Sequence, residues 1–180
     1  MYQGKTLSLH AIENGFVEIN FDSQSGSVNK FNEETLGELQ EAVKIVEDTA
    51  NIRGLLLTSG KSVFVVGADI TEFTDMFAAP KQEFLKGTQQ ANSIFTQIED
   101  LPFPSVAAIN GFALGGGFEV CLACDSRVIA SNAAVACRKL VWALYPAGAE
   151  RCVCRAWLAL RLRCNGSPRA TSRSPKLPWL

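Results

Sequence analysis

Three consecutive glycines, Gly115, Gly116 and Gly117, stand between an apolar run, Ser105 to Ile109, and a stretch of helix-forming residues, Glu119 to Ala123. No other feature narrows the local geometry of the chain so far. Residues without a Cβ let backbone N–H groups approach a partner closely. At or just before a helix N-terminus, those amides act together with the helix dipole and favour negative charge. Glu119, two residues past the triplet, would stand one turn inside the helix and point toward whatever the amides hold. The stretch NGFALGGGFE, Asn110 to Glu119, therefore suits an oxyanion hole beside a general acid/base. It equally suits a turn that only lets a helix pack closely on a strand, and the triplet alone leaves both readings open.

A second glycine turn bears on the choice. Gly67-Ala68-Asp69-Ile70 follows the apolar run Val63 to Val66, so a strand is expected to end there and a helix to begin. One helix N-terminus gives one good donor, whereas holding a developing oxyanion takes two that converge from different segments. The plainer alternative is a strand-to-helix turn with Asp69 as a first-turn acid.

The remaining pattern is α/β. Thr6 to Leu9 and Phe16 to Phe21 flank Glu13-Asn14-Gly15 and predict a β-hairpin, followed by a polar loop over 22–27. Asn32 is placed to cap a helix running to about Thr49, with Leu36, Leu39, Val43, Val46 and Ala50 at helical spacing. Gly54 opens a strand through Thr58, and Ser59-Gly60-Lys61 turns the chain into a strand over 63–66. After Pro80 an amphipathic helix carries Phe84, Ala91, Phe95 and Ile98 on one face and must stop by Leu101, before Pro102 and Pro104. Both glycine turns fall at strand ends, where open α/β folds place ligands.

Counting residues removes several chemistries. His10 is the one histidine, which leaves no positioned pair for a histidine relay. Cys121 and Cys124 lie three apart on the expected helix with no second pair to complete a zinc site, so they read as small buried thiols, and no metal is expected. Neither GxGxxG nor GxxxxGK[ST] occurs, against dinucleotide and P-loop chemistry. At 47% hydrophobic and 19% charged, the chain has a globular composition, and no apolar run reaches the ~18 residues of a membrane span. MYQGKTLSLHAIENG lacks the pattern of a secretory signal, which makes a cytoplasmic location with reduced thiols the expectation. What survives is a carboxylate beside amide donors, an arrangement for chemistry in which a thioester or amide carbonyl becomes an enolate.

FVVGADITEF, Phe64 to Phe73, together with PSVAAINGFALGGGFEVCLACDSRV, Pro104 to Val128, closely resembles the crotonase, or enoyl-CoA hydratase/isomerase, superfamily. GSVNKFN, Gly26 to Asn32, and the spacing between the blocks bring the resemblance nearest to the N-terminal hydratase part of bacterial fatty-acid oxidation complex α subunits. It covers about residues 1 to 135. The fold it implies is a spiral of ββα units. The oxyanion hole it implies is the amide pair of Ala68 and Gly116, holding the thioester oxygen of a 2-enoyl-CoA, with Gly67, Asp69, Ile70, Gly115 and Gly117 lining the substrate. Glu119 would be one of two glutamates that together add water across the double bond. Coenzyme A would enter as part of the substrate, along Ala68 to Ile70, and no separate cofactor is implied. In the family the assembly is oligomeric. A thiolase β subunit is the partner implied for the intact complex, whose NAD-dependent dehydrogenase region has no counterpart in this sequence. A Δ3-Δ2-enoyl-CoA isomerase and a non-catalytic acyl-CoA-binding or assembly fragment are the competing readings.

The resemblance breaks where the second glutamate is due. The family's Gly-Leu-Pro-Glu motif is replaced by Ala136-Cys137-Arg138-Lys139, with Lys139 nearest the expected carboxylate. Residues 1–135 hold 8 basic and 17 acidic residues, whereas 136–180 hold 9 basic residues, one acid, four of six cysteines and all three tryptophans. Read one base out of register, Ala-Cys permits Leu, Cys-Arg permits Pro, and Arg-Lys permits Glu. From Tyr145 through Trp157 the shifted codons permit Pro-Gly-Trp-Gly-Gly-Thr-Val-Arg-Leu-Pro-Arg-Leu, which is what the family would show there. A frame shift near Val135, in the gene or in its sequencing, is therefore expected, with 136–180 an out-of-frame tail. It accounts for the basic tail without nucleic acid. This form is expected to be poorly stable, to turn over little or no substrate, and to lack a clear basis for oligomerisation.

Overall fold

The computed structural model describes residues 1–69 and 81–136. The expected helix start at Ile70, the Phe84 side chain and the proposed out-of-frame residues from Cys137 onward lie outside the described residues.

The hairpin forms as its turn residues dictate. β2 (Leu7–Ala11) and β3 (Phe16–Phe21) pair antiparallel, joined by a short turn in which Asn14 and Gly15 take φ of 62° and 81°. β1 (Tyr2–Gln3) adds at the edge of β2. From β3 onward the sheet is parallel, through β4 (Gly54–Ser59), β5 (Ser105–Ile109) and β7 (Ser126–Ile129), in the order β1-β2-β3-β4-β5-β7.

The helices follow their capping and periodicity. The Asn32 Oδ1 accepts from the Thr35 amide at 2.8 Å and fixes the start of α1 (Glu33–Asp48). Leu39, Val43 and Val46 are buried along one stripe, joined by Ala42, while Ala50 lies beyond the helix and is exposed. α2 (Lys81–Asp100) ends before Pro102 as expected, and its buried line is Ile94, Ile98 and the following Leu101, with Ala91 and Phe95 flanking it.

One expectation is corrected. Val63 to Val66 does not form a regular strand, and only Val65 makes a bridge, to Ala113 in β6 (Ala113–Leu114). Its polar groups are satisfied irregularly. The Phe64 amide donates to the Phe112 carbonyl, the Phe64 carbonyl accepts from the Asn29 side chain at 3.0 Å, and the Val66 amide donates to the Asn29 carbonyl. β-branched composition signalled an extended conformation but not which groups would pair with it.

These pieces make a second, small parallel layer. Phe31 bridges Ala68, Val65 bridges Ala113, and β6 pairs with β8 (Val135–Ala136), each in parallel. Every main strand from β3 on is thus followed by a short piece in the second layer. In the first three turns a helix follows: β3, residues 29–31, α1; β4, residues 65–68, α2; β5, β6, α3 (Gly116–Ala123). β7 and β8 begin the next turn. This is the expected spiral of ββα units. Phe21, Phe31, Phe64 and Phe95 tie its layers together, with the Phe21 ring 6.0 Å from Phe31 and from Phe64, and Phe31 5.8 Å from Phe95.

Glu38 on α1 fastens the spiral to the first hairpin. Its carboxylate accepts from the amides of Lys5, Thr6 and Leu7 and from the Thr6 hydroxyl, at 2.6 to 3.2 Å. Partial burial pushes this carboxyl up, but the Thr6 hydroxyl and the three amides outweigh it and hold it below its ordinary value of 4.5. A lowered folded-state value contributes stability that is present above the unfolded value and lost as pH falls through the folded one. Glu38→Gln is therefore expected to destabilise by roughly 1–3 kcal/mol at pH 7, with the difference shrinking below about pH 4. Denaturant titrations of both proteins at the two pH values check this, and a constant difference would remove the ionic explanation.

Candidate functional site

The two glycine turns meet. Gly67 and Gly115 both have positive φ, 96° and 52°, which an L side chain rarely adopts. A methyl on Gly67 would lie 2.9 Å from the Leu114 carbonyl oxygen and 3.9 Å from the Gly115 Cα. The Leu114 amide donates to the Val65 carbonyl at 3.0 Å, and the Gly115 amide donates to the Ala136 carbonyl at 2.9 Å, so main chain stitches the turns on both sides.

Both turns leave amides uncommitted. In the parallel bridge between Phe31 and Ala68, the Phe31 amide donates to the Gly67 carbonyl and the Asp69 amide to the Phe31 carbonyl, both at 2.8 Å. That pattern turns the N–H of Ala68 away from 29–31. Gly116 is the first residue of α3, after the N-cap Gly115, so its N–H has no intrahelical acceptor. Among the described residues, the amides of Ala68 and Gly116 donate no hydrogen bond, and neither do those of Gly67 and Gly117.

Glu119 lies in the first turn of α3, half-buried, with its amide donating to the Gly115 carbonyl at 3.0 Å. The neighbouring Gly116 packs against the Phe31 ring, and a methyl on Gly117 would fall 2.1 Å from the Val65 carbonyl oxygen. Of the sequence-derived candidates, Gly67, Ala68, Asp69, Gly115, Gly116, Gly117 and Glu119 fall on these two turns and the start of α3. Ile70 is outside the described residues. Sequence reasoning missed Lys30, whose ammonium pairs with the Asp69 carboxylate. Its signal was present in GSVNKFN but had no partner until the fold supplied one.

The other candidates stay out of the site. His10 is exposed on the hairpin. Cys121 and Cys124 are buried on α3, and desolvation raises both thiols, Cys124 to about 12, against the opposing pull of Arg127. They are protonated, inert thiols at neutral pH. No cluster of three metal-ligating side chains occurs among the described residues. Among them, too, no helix is long and apolar enough to cross a membrane.

The family model described as enoyl-CoA hydratase/isomerase matches residues 11–157. The chain belongs to the enoyl-CoA hydratase/isomerase family. Relatives include the fatty acid oxidation complex subunit alpha of Pseudomonas syringae pv. tomato, 53% identical over 146 residues, and that of Pseudomonas aeruginosa, 51% identical over the same length. Each match takes in 81% of this chain and 20% of the relative, so the chain spans about one fifth of the length of those proteins. Among solved structures, the enoyl-CoA hydratase from Bacillus anthracis aligns with a TM-score of 0.65 at 30% identity, covering 72% of this chain and 49% of that one. An enoyl-CoA hydratase from Shewanella pealeana aligns with a TM-score of 0.78 at 20% identity, covering 90% and 62%, and supports the crotonase fold alone.

Proposed function

We propose that this chain carries the thioester-activating part of an enoyl-CoA hydratase site of fatty-acid β-oxidation. The observation that carries the proposal is the set of uncommitted amides on two turns in contact, with Glu119 in the first turn of the helix that follows; among them the resemblance selects Ala68 and Gly116. As water adds to C3 of a 2-enoyl thioester, the π electrons move onto the carbonyl oxygen, and a proton then reaches C2. Two amides aimed at that oxygen stabilise the enolate, each worth about 3 kcal/mol of barrier. The Glu119 carboxylate serves the proton transfer. No metal or separate cofactor enters this scheme, and coenzyme A arrives with the substrate. A cytoplasmic location, and a thiolase β subunit as partner of an intact complex, belong to the same reading.

The second carboxylate is where this form departs from a working hydratase. Lys139 occupies its expected place, which we attribute to the frame shift near Val135, with the native-frame core ending at about residue 135. Restoring the frame by one base between Val135 and Lys139 is expected to raise crotonyl-CoA hydration at least about 100-fold over the 180-residue form, the span of one acid/base group. Hydration by the uncorrected chain at the rate of the corrected one would defeat the proposal, and resequencing the gene across 135–139 decides the origin of the tail. The missing carboxylate also favours an isomerase reading, because shifting a double bond adds no water. Conversion of a 3-enoyl-CoA to the 2-enoyl isomer by the uncorrected chain would select it. Thioester binding without any turnover in the frame-restored chain, indifferent to Glu119, would select the non-catalytic fragment.

A further inference from the structure

We infer that Asn29 is a positioning residue for the proposed oxyanion hole, its side chain fixing the segment that presents the Ala68 amide. The inference rests on the reading of Ala68 given above. Residues 63–66 form no regular strand, so the chain reaches Ala68 through single bonds to either side. Toward the other glycine turn, the Phe64 amide donates to the Phe112 carbonyl and the Leu114 amide to the Val65 carbonyl. Toward residues 29–31, the Val66 amide donates to the Asn29 carbonyl, the Phe31 amide to the Gly67 carbonyl and the Asp69 amide to the Phe31 carbonyl. Where the segment hangs between these two attachments sets how far the Ala68 amide stands from Gly116.

Asn29 grips the segment twice, by its carbonyl at Val66 and by its side chain, whose Nδ2 donates to the Phe64 carbonyl at 3.0 Å. The same side chain reaches the large sheet. Nδ2 also donates to the Phe21 carbonyl at the end of β3 and to the Ser59 hydroxyl at the end of β4, both at 2.9 Å, and Oδ1 accepts from the Ser23 amide at 3.0 Å. Ser59 continues the chain of bonds, its hydroxyl donating to the Val63 carbonyl at 2.6 Å. Two parallel strands are thus tied to the Ala68 segment through one carboxamide and one hydroxyl. Asn29 is buried, where such bonds are strong and compete little with water. A site of this kind works only when its donors are held to within roughly 0.5 Å, which a network of supporting bonds provides.

Asn29→Asp keeps the shape and Oδ1 but sets a second oxygen against the Phe21 and Phe64 carbonyl oxygens, a repulsion that holds whatever else those carbonyls accept. The probe is acetoacetyl-CoA, whose enolate absorbs in the near ultraviolet and presents the oxyanion, with free coenzyme A as the ligand lacking a thioester oxygen. In the full chain, Asn29→Asp is expected to weaken acetoacetyl-CoA binding about tenfold while leaving coenzyme A within about twofold. It should also move the ionisation of the bound ligand up by about one pH unit, the equivalent of tenfold. Ser59→Ala, which interrupts the bonds to β4 and to Val63, should shift both measures the same way by about threefold, and Ser59→Thr, which keeps the hydroxyl, should restore the parent values within about twofold. Should circular dichroism show Asn29→Asp unfolded, the Ser59 pair decides, and parent-like selectivity in Ser59→Ala would overturn the inference. Equal weakening of both ligands would make Asn29 a support of the fold at large and overturn it too, as would no change in Asn29→Asp. A parent chain that binds acetoacetyl-CoA no better than coenzyme A would instead remove the oxyanion-hole reading itself, and this inference with it.

Discussion

Gly117→Ala is expected to disrupt both glycine turns at once, lowering the melting temperature by roughly 10 °C and abolishing acetoacetyl-CoA binding. Within a helix, alanine ordinarily gains up to about 1 kcal/mol over glycine. Here the new methyl would sit 2.1 Å from the Val65 carbonyl oxygen, 2.7 Å from its carbon and 2.8 Å from its Cβ. None of the first two atoms is the free end of a side chain, so backbone has to move. That carbonyl accepts from the Leu114 amide, and Leu114 packs on Gly67, so the displacement passes directly to the turn that presents Ala68. Overpacking of this kind costs on the order of 3 kcal/mol or more, which outweighs the helical gain. Gly116→Ala is the contrast. Its methyl would meet the Phe31 ring at 3.3 Å, a side chain able to give by a few tenths of an ångström, and its melting temperature should fall by no more than about a third as much. Thermal melts of the two variants beside the parent test the pair. Equal small losses would mean that α3 does not need its close approach to Val65.

What could be read in the sequence was what depends on near neighbours. The Asn32 cap, the stop before Pro102 and the turn at Asn14-Gly15 each need only a few residues, and each forms where its residues require. The glycine triplet announced a close backbone approach, and Gly117 against Val65 is that approach. Val63 to Val66 failed because its partners are remote. The group that accepts its geometry is Asn29, 35 residues before Phe64, and a β-branched run cannot announce that an asparagine side chain will take the place of a strand. Ile94 was missed for a related reason. A helical stripe drawn through Phe84, Ala91, Phe95 and Ile98 identifies a face, but which side of it is fully buried depends on what α2 packs against. The ion pair of Lys30 and Asp69 joins two blocks whose residue types were visible and whose contact was not. The resemblance supplied what local rules could not, namely that the two glycine turns belong to one place.

Glu119→Gln, made in the frame-restored chain, is expected to lower crotonyl-CoA hydration by about 10²- to 10⁴-fold while leaving acetoacetyl-CoA affinity within about threefold. That loss corresponds to roughly 3–5 kcal/mol of barrier. Glutamine keeps the shape and an acceptor oxygen but gives up the exchangeable proton, so the substitution separates proton transfer from ligand placement. The placement side should be robust. The α3 N-terminus is set by the Gly115 cap and by the main-chain bond from Glu119 to Gly115, neither of which uses the carboxylate. In the uncorrected chain the same substitution should change little, because one carboxylate cannot complete the water addition on its own. A frame-restored Glu119→Gln enzyme with unimpaired turnover would move the acid/base role to another group. A parallel loss of ligand affinity would show instead that the carboxylate holds the turn, since an acid/base group whose main-chain setting is independent of its charge can be neutralised without disturbing the amides beside it.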